Sequence, residues 1–345
     1  MSRTKIDGVR IDGISTCVPA RTIDNAATGS TFGEDEVRKV LGMAGVQTRR
    51  VVDEGVCASD LCTQAARILM DRLGWAADSV DALILVTQSP DYFLPSTACV
   101  VHRSLGLSVD CAAFDVGLGC SGYPYGLYLA STMVRGGGHE RVLLLLGETP
   151  SRFPSPEDRT TSLLFGDAGS ATALSAAPGA AASYFNLGTD GSGYDSLIIR
   201  GGGFRDRNPE CERDRHLSMD GPALFNFTIQ RVPRLIRDTL AHAGTSADEV
   251  DGFLVSQSNQ FIMRYLVNKC GLPPDRVPSS LQHFGNTGGT SVPLAATTTY
   301  ADVRSRRALQ LMLLGYGVGF SWAAALVRLA PEAVLLHGEM PSEPG

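Results

Sequence analysis

Two stretches of this 345-residue chain, Ala82–Thr87 (ALILVT) and Arg141–Gly147 (RVLLLLG), carry apolar runs of strand length with no polar residue inside them. A strand with one wet face alternates apolar and polar residues. A continuous run must be covered on both faces, and helices are the usual cover of such a sheet. The intervening segments can supply those helices. Ser59–Leu73 places Leu61, Ala65, Ile68, Leu69 and Leu73 on one face, and Pro95–Leu105 and Gly122–Arg135 have similar spacing. The second half repeats the style. Gly252–Ser256 and Leu309–Gly315 read as strands, and Pro222–Ala241 and Gln260–Cys270 as helices. The alternation predicts an α/β fold with a largely buried sheet.

Composition narrows the function. Hydrophobic residues make up 43% and charged residues 19%, enough to build a core and too apolar for a disordered chain. The net charge is −6 and no basic stripe is visible, which argues against nucleic acid as a partner. Met1–Ile11 is charged and lacks the apolar core of a signal peptide. No run approaches the ~18 apolar residues of a membrane span. A cytoplasmic protein is therefore expected. The eight cysteines are scattered, without C-x-x-C or paired Cys/His spacing. They predict no metal site, and most are expected to be reduced core residues. The Ala/Gly-rich stretch Ser175–Ser183 is the best internal boundary. It divides the chain into 1–178 and 179–330, with a loose tail at 331–345. Asp190–Arg215, rich in Gly, Arg and Asp, reads as an excursion loop.

One cysteine has a distinctive neighbourhood. In Phe114-Asp115-Val116-Gly117-Leu118-Gly119-Cys120-Ser121-Gly122, a strand-like start runs into a Cys flanked by small residues, and a helical pattern follows. Small neighbours permit a tight turn that presents the sulfur at a helix N-terminus. The helix dipole is expected to favour thiolate, the reactive form. The free N–H groups there can hold a developing oxyanion.

Further segments give this cysteine a context: Phe165-Gly166-Asp167-Ala168-Gly169-Ser170-Ala171, Gly285-Asn286-Thr287-Gly288-Gly289-Thr290-Ser291 and Gly315-Tyr316-Gly317-Val318-Gly319-Phe320-Ser321-Trp322. Gly45–Val52, Leu94–Ala98 and Met219–Gly221 add to the set. In this order they resemble the 3-oxoacyl-acyl-carrier-protein synthase III (β-ketoacyl-ACP synthase III) family of the thiolase superfamily, from about Asp12 to Leu329. The resemblance implies a thiolase-like five-layered αβαβα fold built from two similar halves, and a homodimer. It implies that Cys120 accepts an acyl group as a thioester, with the N–H groups of Cys120 and Gly319 as oxyanion hole. It also implies Phe320 as a gate beside the acyl-Cys, and Asn286 as the donor to the second substrate's thioester oxygen. Leu94, Phe225 and the 190–215 loop are expected to set the depth of the acyl pocket. No cofactor is implied, because acyl-CoA or acyl-carrier-protein thioesters bring the activated acyl group. Asp167 reads as a loop-fixing residue.

The pattern breaks in two places. Where the family has His-Gln-Ala-Asn, this chain has Ser256-Gln257-Ser258-Asn259. Serine donates one hydrogen bond but is neither a base nor a cation near neutral pH. Losing one of two donors costs ~2.7–4 kcal/mol of transition-state stabilisation. His283, three residues before Asn286, is the one nearby histidine that could substitute. The family's adenine-clamping Trp is also absent from Glu36–Ala44, and its carrier-docking Arg falls on Phe261. Three readings follow. The first is an acyltransferase that passes the acyl group from Cys120 to an acceptor in fatty-acid-like or polyketide biosynthesis. The second is a decarboxylative Claisen condensing enzyme using malonyl thioester. The third is a weak partner subunit of a homologous enzyme.

Overall fold

The computed structural model describes residues 2–28, 33–158, 160–301 and 307–341. In chain order the elements are β1 (Ser2–Ile6), β2 (Val9–Val18), β3 (Thr22–Asp24), α1 (Glu34–Ala44), β4 (Thr48–Arg50), α2 (Ala58–Leu73), β5 (Ala82–Val86), α3 (Thr97–Leu105) and β6 (Ala112–Val116). Then come α4 (Gly122–Arg135), β7 (Arg141–Glu148), β8 (Ala168–Ala176), β9 (Ser183–Thr189), β10 (Leu197–Ile198), β11 (Ser218–Met219), α5 (Gly221–Ala243), β12 (Gly252–Val255) and α6 (Gln260–Cys270). The last are α7 (Leu281–Phe284), α8 (Ser291–Tyr300), β13 (Leu309–Gly317), β14 (Ser321–Leu329) and β15 (Val334–Glu339).

Two large sheets form, ordered β15-β2-β8-β7-β5-β6 and β1-β9-β14-β13-β12. Helices α4 and α8 touch both sheets and lie between them. Helices α2 and α3 cover the outer face of the first sheet, and α5, with α6 against it, covers the second. This is the expected αβαβα stack. The apolar runs explain it: every residue of β5 is buried, because α2 and α3 cover one face and α4 the other. Close approach needs small residues. A Cβ on Gly169 of β8 would come 2.6 Å from the Cys62 backbone N, so glycine lets α2 lie directly on the sheet.

Both chain ends cross the expected boundary between the halves. Strand β1 pairs antiparallel with β9 in the second sheet, while β15 runs parallel to β2 in the first. The tail is thus not loose up to Glu339; Leu335 is buried in the core and the backbone completes a sheet edge. The cysteines also depart from expectation. Cys17, Cys62 and Cys111 are buried, but Cys99 and Cys211 are exposed, and all eight are free.

Strands β5, β6 and β7 are mutually parallel, as are β12 and β13. The carboxyl ends of parallel strands are where loops converge and sites are built. β6 leads to Cys120, β7 ends on Glu148, β12 leads to Ser256 and β13 ends on Gly317.

Candidate active site

Cys120 sits in the turn between β6 and α4, and the Gly122 N–H donates to the Gly119 carbonyl at 2.7 Å to tighten it. Its surroundings are shaped by glycines. A Cβ on Gly317 would lie 3.0 Å from Cys120 Cβ and 3.1 Å from Sγ, and one on Gly289 would lie 2.6 Å from the Gly119 carbonyl oxygen. The end of β13 and the 286–290 loop therefore press directly on the cysteine turn. The backbone N–H groups of Cys120 and Val318 favour the ionised form of the sulfur.

The electrostatics differ from the sequence expectation. The Cys120 thiol is pushed up to about 12, first by burial and then by the nearby Glu148 carboxylate, with the two N–H groups acting in the opposite direction. Desolvation disfavours the charged thiolate and so opposes the effect expected of the helix N-terminus. Glu148 is 3% exposed, its Oε1 has no hydrogen-bond partner, and burial pushes its carboxyl up to about 8. Cys120 and Glu148 line one cavity of about 220 Å³, walled by Phe153, Phe165, Ile198, Leu217 and Val318, with Gln88 at its edge. Sequence reasoning passed over Glu148. The signal was available: a lone acid ends an otherwise apolar buried strand, one strand removed from the strand that delivers Cys120.

Asn286 is 7% exposed, and its orientation is fixed. The Gly288 N–H donates to Oδ1 at 2.9 Å, while Nδ2 makes only a long 3.4 Å contact with the Ser258 carbonyl. The amide thus keeps donor capacity for a substrate oxygen. Ser256 is 3% exposed, and its N–H is bonded to the Leu314 carbonyl on β13 at 2.7 Å. The rest of its segment is structural. Gln257 Oε1 accepts from the Ser280 N–H at 2.9 Å, and Asn259 caps α6 through the Ile262 N–H at 2.8 Å. Neither Asn286 nor Ser256 is among the residues lining the Cys120 cavity.

Three further residues singled out in the sequence, His283, Leu94 and Phe320, have distinct surroundings. The His283 side chain is exposed on α7, whereas Asn286 is buried. Leu94 is 84% exposed and is not among the residues lining the Cys120 cavity. Phe320 packs under α5, its ring 4.3 Å from that of Phe227 and nearly parallel, and it is not among the residues lining the Cys120 cavity. Asp167 is a loop-fixing residue. It is fully buried, and its carboxylate accepts from the Val52 N–H at 2.9 Å, the Ser151 N–H at 3.0 Å and the Ser151 hydroxyl at 2.6 Å.

Two packed sheets with a half-buried cysteine at the mouth of the first central helix define a thiolase-like protein. Residues 114–191 match the family model for 3-oxoacyl-[acyl-carrier-protein (ACP)] synthase III, and residues 240–329 match the model of its C-terminal part. The chain is similar to the β-ketoacyl-[acyl-carrier-protein] synthase III of Neisseria meningitidis serogroup C, with 31% identity covering 92% of this chain and 98% of that one. It is also similar to a 3-oxoacyl-(acyl-carrier protein) synthase from Burkholderia xenovorans LB400. There the identity is 42%, coverage is 98% and 99%, and the TM-score is 0.95. The synthase III of Thermus thermophilus gives 30% identity, coverage of 92% and 98%, and a TM-score of 0.82. The chain belongs to the 3-oxoacyl-[acyl-carrier-protein] synthase III family. Among the described residues, no helix is long and apolar enough to cross a membrane.

Proposed function

We propose that the protein is a condensing enzyme that carries its acyl group on Cys120. In the first half-reaction the thiol displaces the carrier of an acyl-CoA or acyl-carrier-protein thioester, giving acyl-Cys120 and a free carrier thiol. In the second, a carbanion from a malonyl-type thioester attacks the acyl carbon. Carbon dioxide leaves, the Cys120 thiolate departs and is reprotonated, and a 3-oxoacyl thioester results. Covalent relay needs a nucleophile and an oxyanion hole. The observation that supports this reading is Cys120 in a glycine-walled turn at the start of α4, with the backbone N–H groups of Cys120 and Val318 favouring its ionised form. Asn286 Nδ2 donates to the enolate oxygen of the second thioester, and Ser256 occupies the position of the family's histidine. No prosthetic group is needed.

Ser256 favours a second reading, transfer of the acyl group to a hydroxyl, amine or thiol acceptor, since a serine there gives decarboxylation less help. Supplying malonyl thioester to the acyl-loaded protein separates the two. Condensation predicts 3-oxoacyl product with stoichiometric carbon dioxide. Turnover only with non-malonyl acceptors would replace it with simple transfer. Strand β6 leaves one sheet edge unpaired, with Phe114 exposed on it. A second copy of the chain is the partner proposed for that edge, and sedimentation equilibrium should give twice the 36.6 kDa chain mass.

A further inference from the structure

Glu148 is an expensive residue to keep where it is. It ends an otherwise apolar strand, β7, is 3% exposed, and leaves Oε1 without a hydrogen-bond partner. A buried, unpaired carboxyl without a task is removed at no cost by Gln or Leu. Space around it is reserved as well: a Cβ on Gly288 would lie 2.8 Å from Glu148 Oε2. The open side of the carboxyl is the cavity that Cys120 also lines. At about 220 Å³ that cavity holds several waters, each taking about 30 Å³.

We propose that Glu148 is the proton acceptor for the Cys120 thiol while the acyl group is loaded. The inference rests on the acyl-Cys reading above and supplies the group that reading lacks. As Sγ bonds the thioester carbonyl carbon, the S–H proton passes to the Glu148 carboxylate, directly or through one cavity water. The carbonyl electron pair moves onto oxygen, held by the N–H groups of Cys120 and Val318. When the intermediate collapses, the carbon–sulfur bond to the carrier breaks, and the departing thiolate takes the proton from Glu148. The carboxylate is restored and no oxidant or reductant is consumed. The other titratable group facing Cys120 is Tyr316 on β13, whose phenol is held neutral by burial and cannot take the proton near neutral pH. No charged side chain contributes to the shifted ionisation of Glu148 itself; burial is its sole cause. A base that titrates near the working pH is well matched to proton transfer.

The test reads Cys120 reactivity without any thioester, using iodoacetamide and intact mass. For the native protein, the alkylation rate should rise with pH to a plateau with its midpoint near 8. A rate that keeps rising tenfold per pH unit beyond pH 9.5 would show simple thiolate chemistry and overturn the proposal. For Glu148→Gln at pH 7.5, the rate should fall at least 30-fold, with partial recovery in Glu148→Asp. An equal or faster rate in Glu148→Gln would also overturn it, since removing a neighbouring negative charge only makes a thiol easier to ionise. Acyl loading from acyl-CoA, measured in parallel, should fall by a similar factor. If iodoacetamide behaves as expected but no thioester loads the native protein, the acyl-Cys reading fails while the proton path from Cys120 to Glu148 stands.

Discussion

Replacing Glu148 with Gln should make the protein more stable, and increasingly so as pH rises. The carboxyl titrates near 8 in the fold against 4.5 for a solvated glutamate. An acid with a raised folded pKa holds its proton more tightly when folded. Its contribution is therefore most favourable below pH 4.5 and is lost as pH climbs towards 8. At 1.36 kcal/mol per unit, the cost of the native Glu is about 1 kcal/mol at pH 5 and about 3 kcal/mol at pH 7. At pH 8 it exceeds about 4 kcal/mol. Gln has no such dependence, so any fixed penalty for burying its amide cancels when pH values are compared. Urea unfolding of both proteins at pH 5, 6, 7 and 8, at one protein concentration, should show the difference growing by about 3 kcal/mol across the series. A difference flat with pH would mean that Glu148 is solvated or ionised in the fold, and would refute both the burial argument and the matched base built on it.

Other substitutions probe the rest of the site. Asn286→Ala removes the Nδ2 donor and should lower condensation by about 10²–10³-fold in kcat while leaving Cys120 loading within a few-fold; quench-flow mass analysis separates the two steps. His283→Ala, on an exposed side chain, should leave steady-state turnover within two-fold. Asp167→Ala strands the Val52 and Ser151 donors in the interior and should cost about 2–4 kcal/mol in denaturant unfolding.

Much of this molecule was legible in the chain. The runs at Ala82 and Arg141 specify two-sided burial, and α4 and α6 begin and end where the helical spacing places them. The Gly-flanked Cys120 between strand and helix is a local pattern, since the turn must be made by those residues themselves. What could not be read depended on neighbours distant in sequence. β15 is a polar-flanked segment that becomes a strand only because β2 offers it an edge. The thiol of Cys120 resists ionisation through desolvation and the nearby Glu148 carboxylate, which depend on packing and not on the helix that follows. His283 lies near Asn286 in sequence, yet one turn of a short helix carries it to the surface. Leu94 was expected in a pocket and stands exposed, since nothing in its own segment says which way the 92–95 turn faces. Glu148 was hidden for a simpler reason: an acid at the end of an apolar run looks like a strand terminator until the cavity beyond it is seen.

The central claim is that Cys120 carries the acyl group. Intact-protein mass spectrometry after incubation with a panel of acyl-CoA and acyl-carrier-protein thioesters, with Cys120→Ala alongside, tests it most directly. The account predicts a mass increase of one acyl group from at least one donor, absent in the variant and released when malonyl thioester is added. No increase with any donor, or an increase that persists without Cys120, would contradict it.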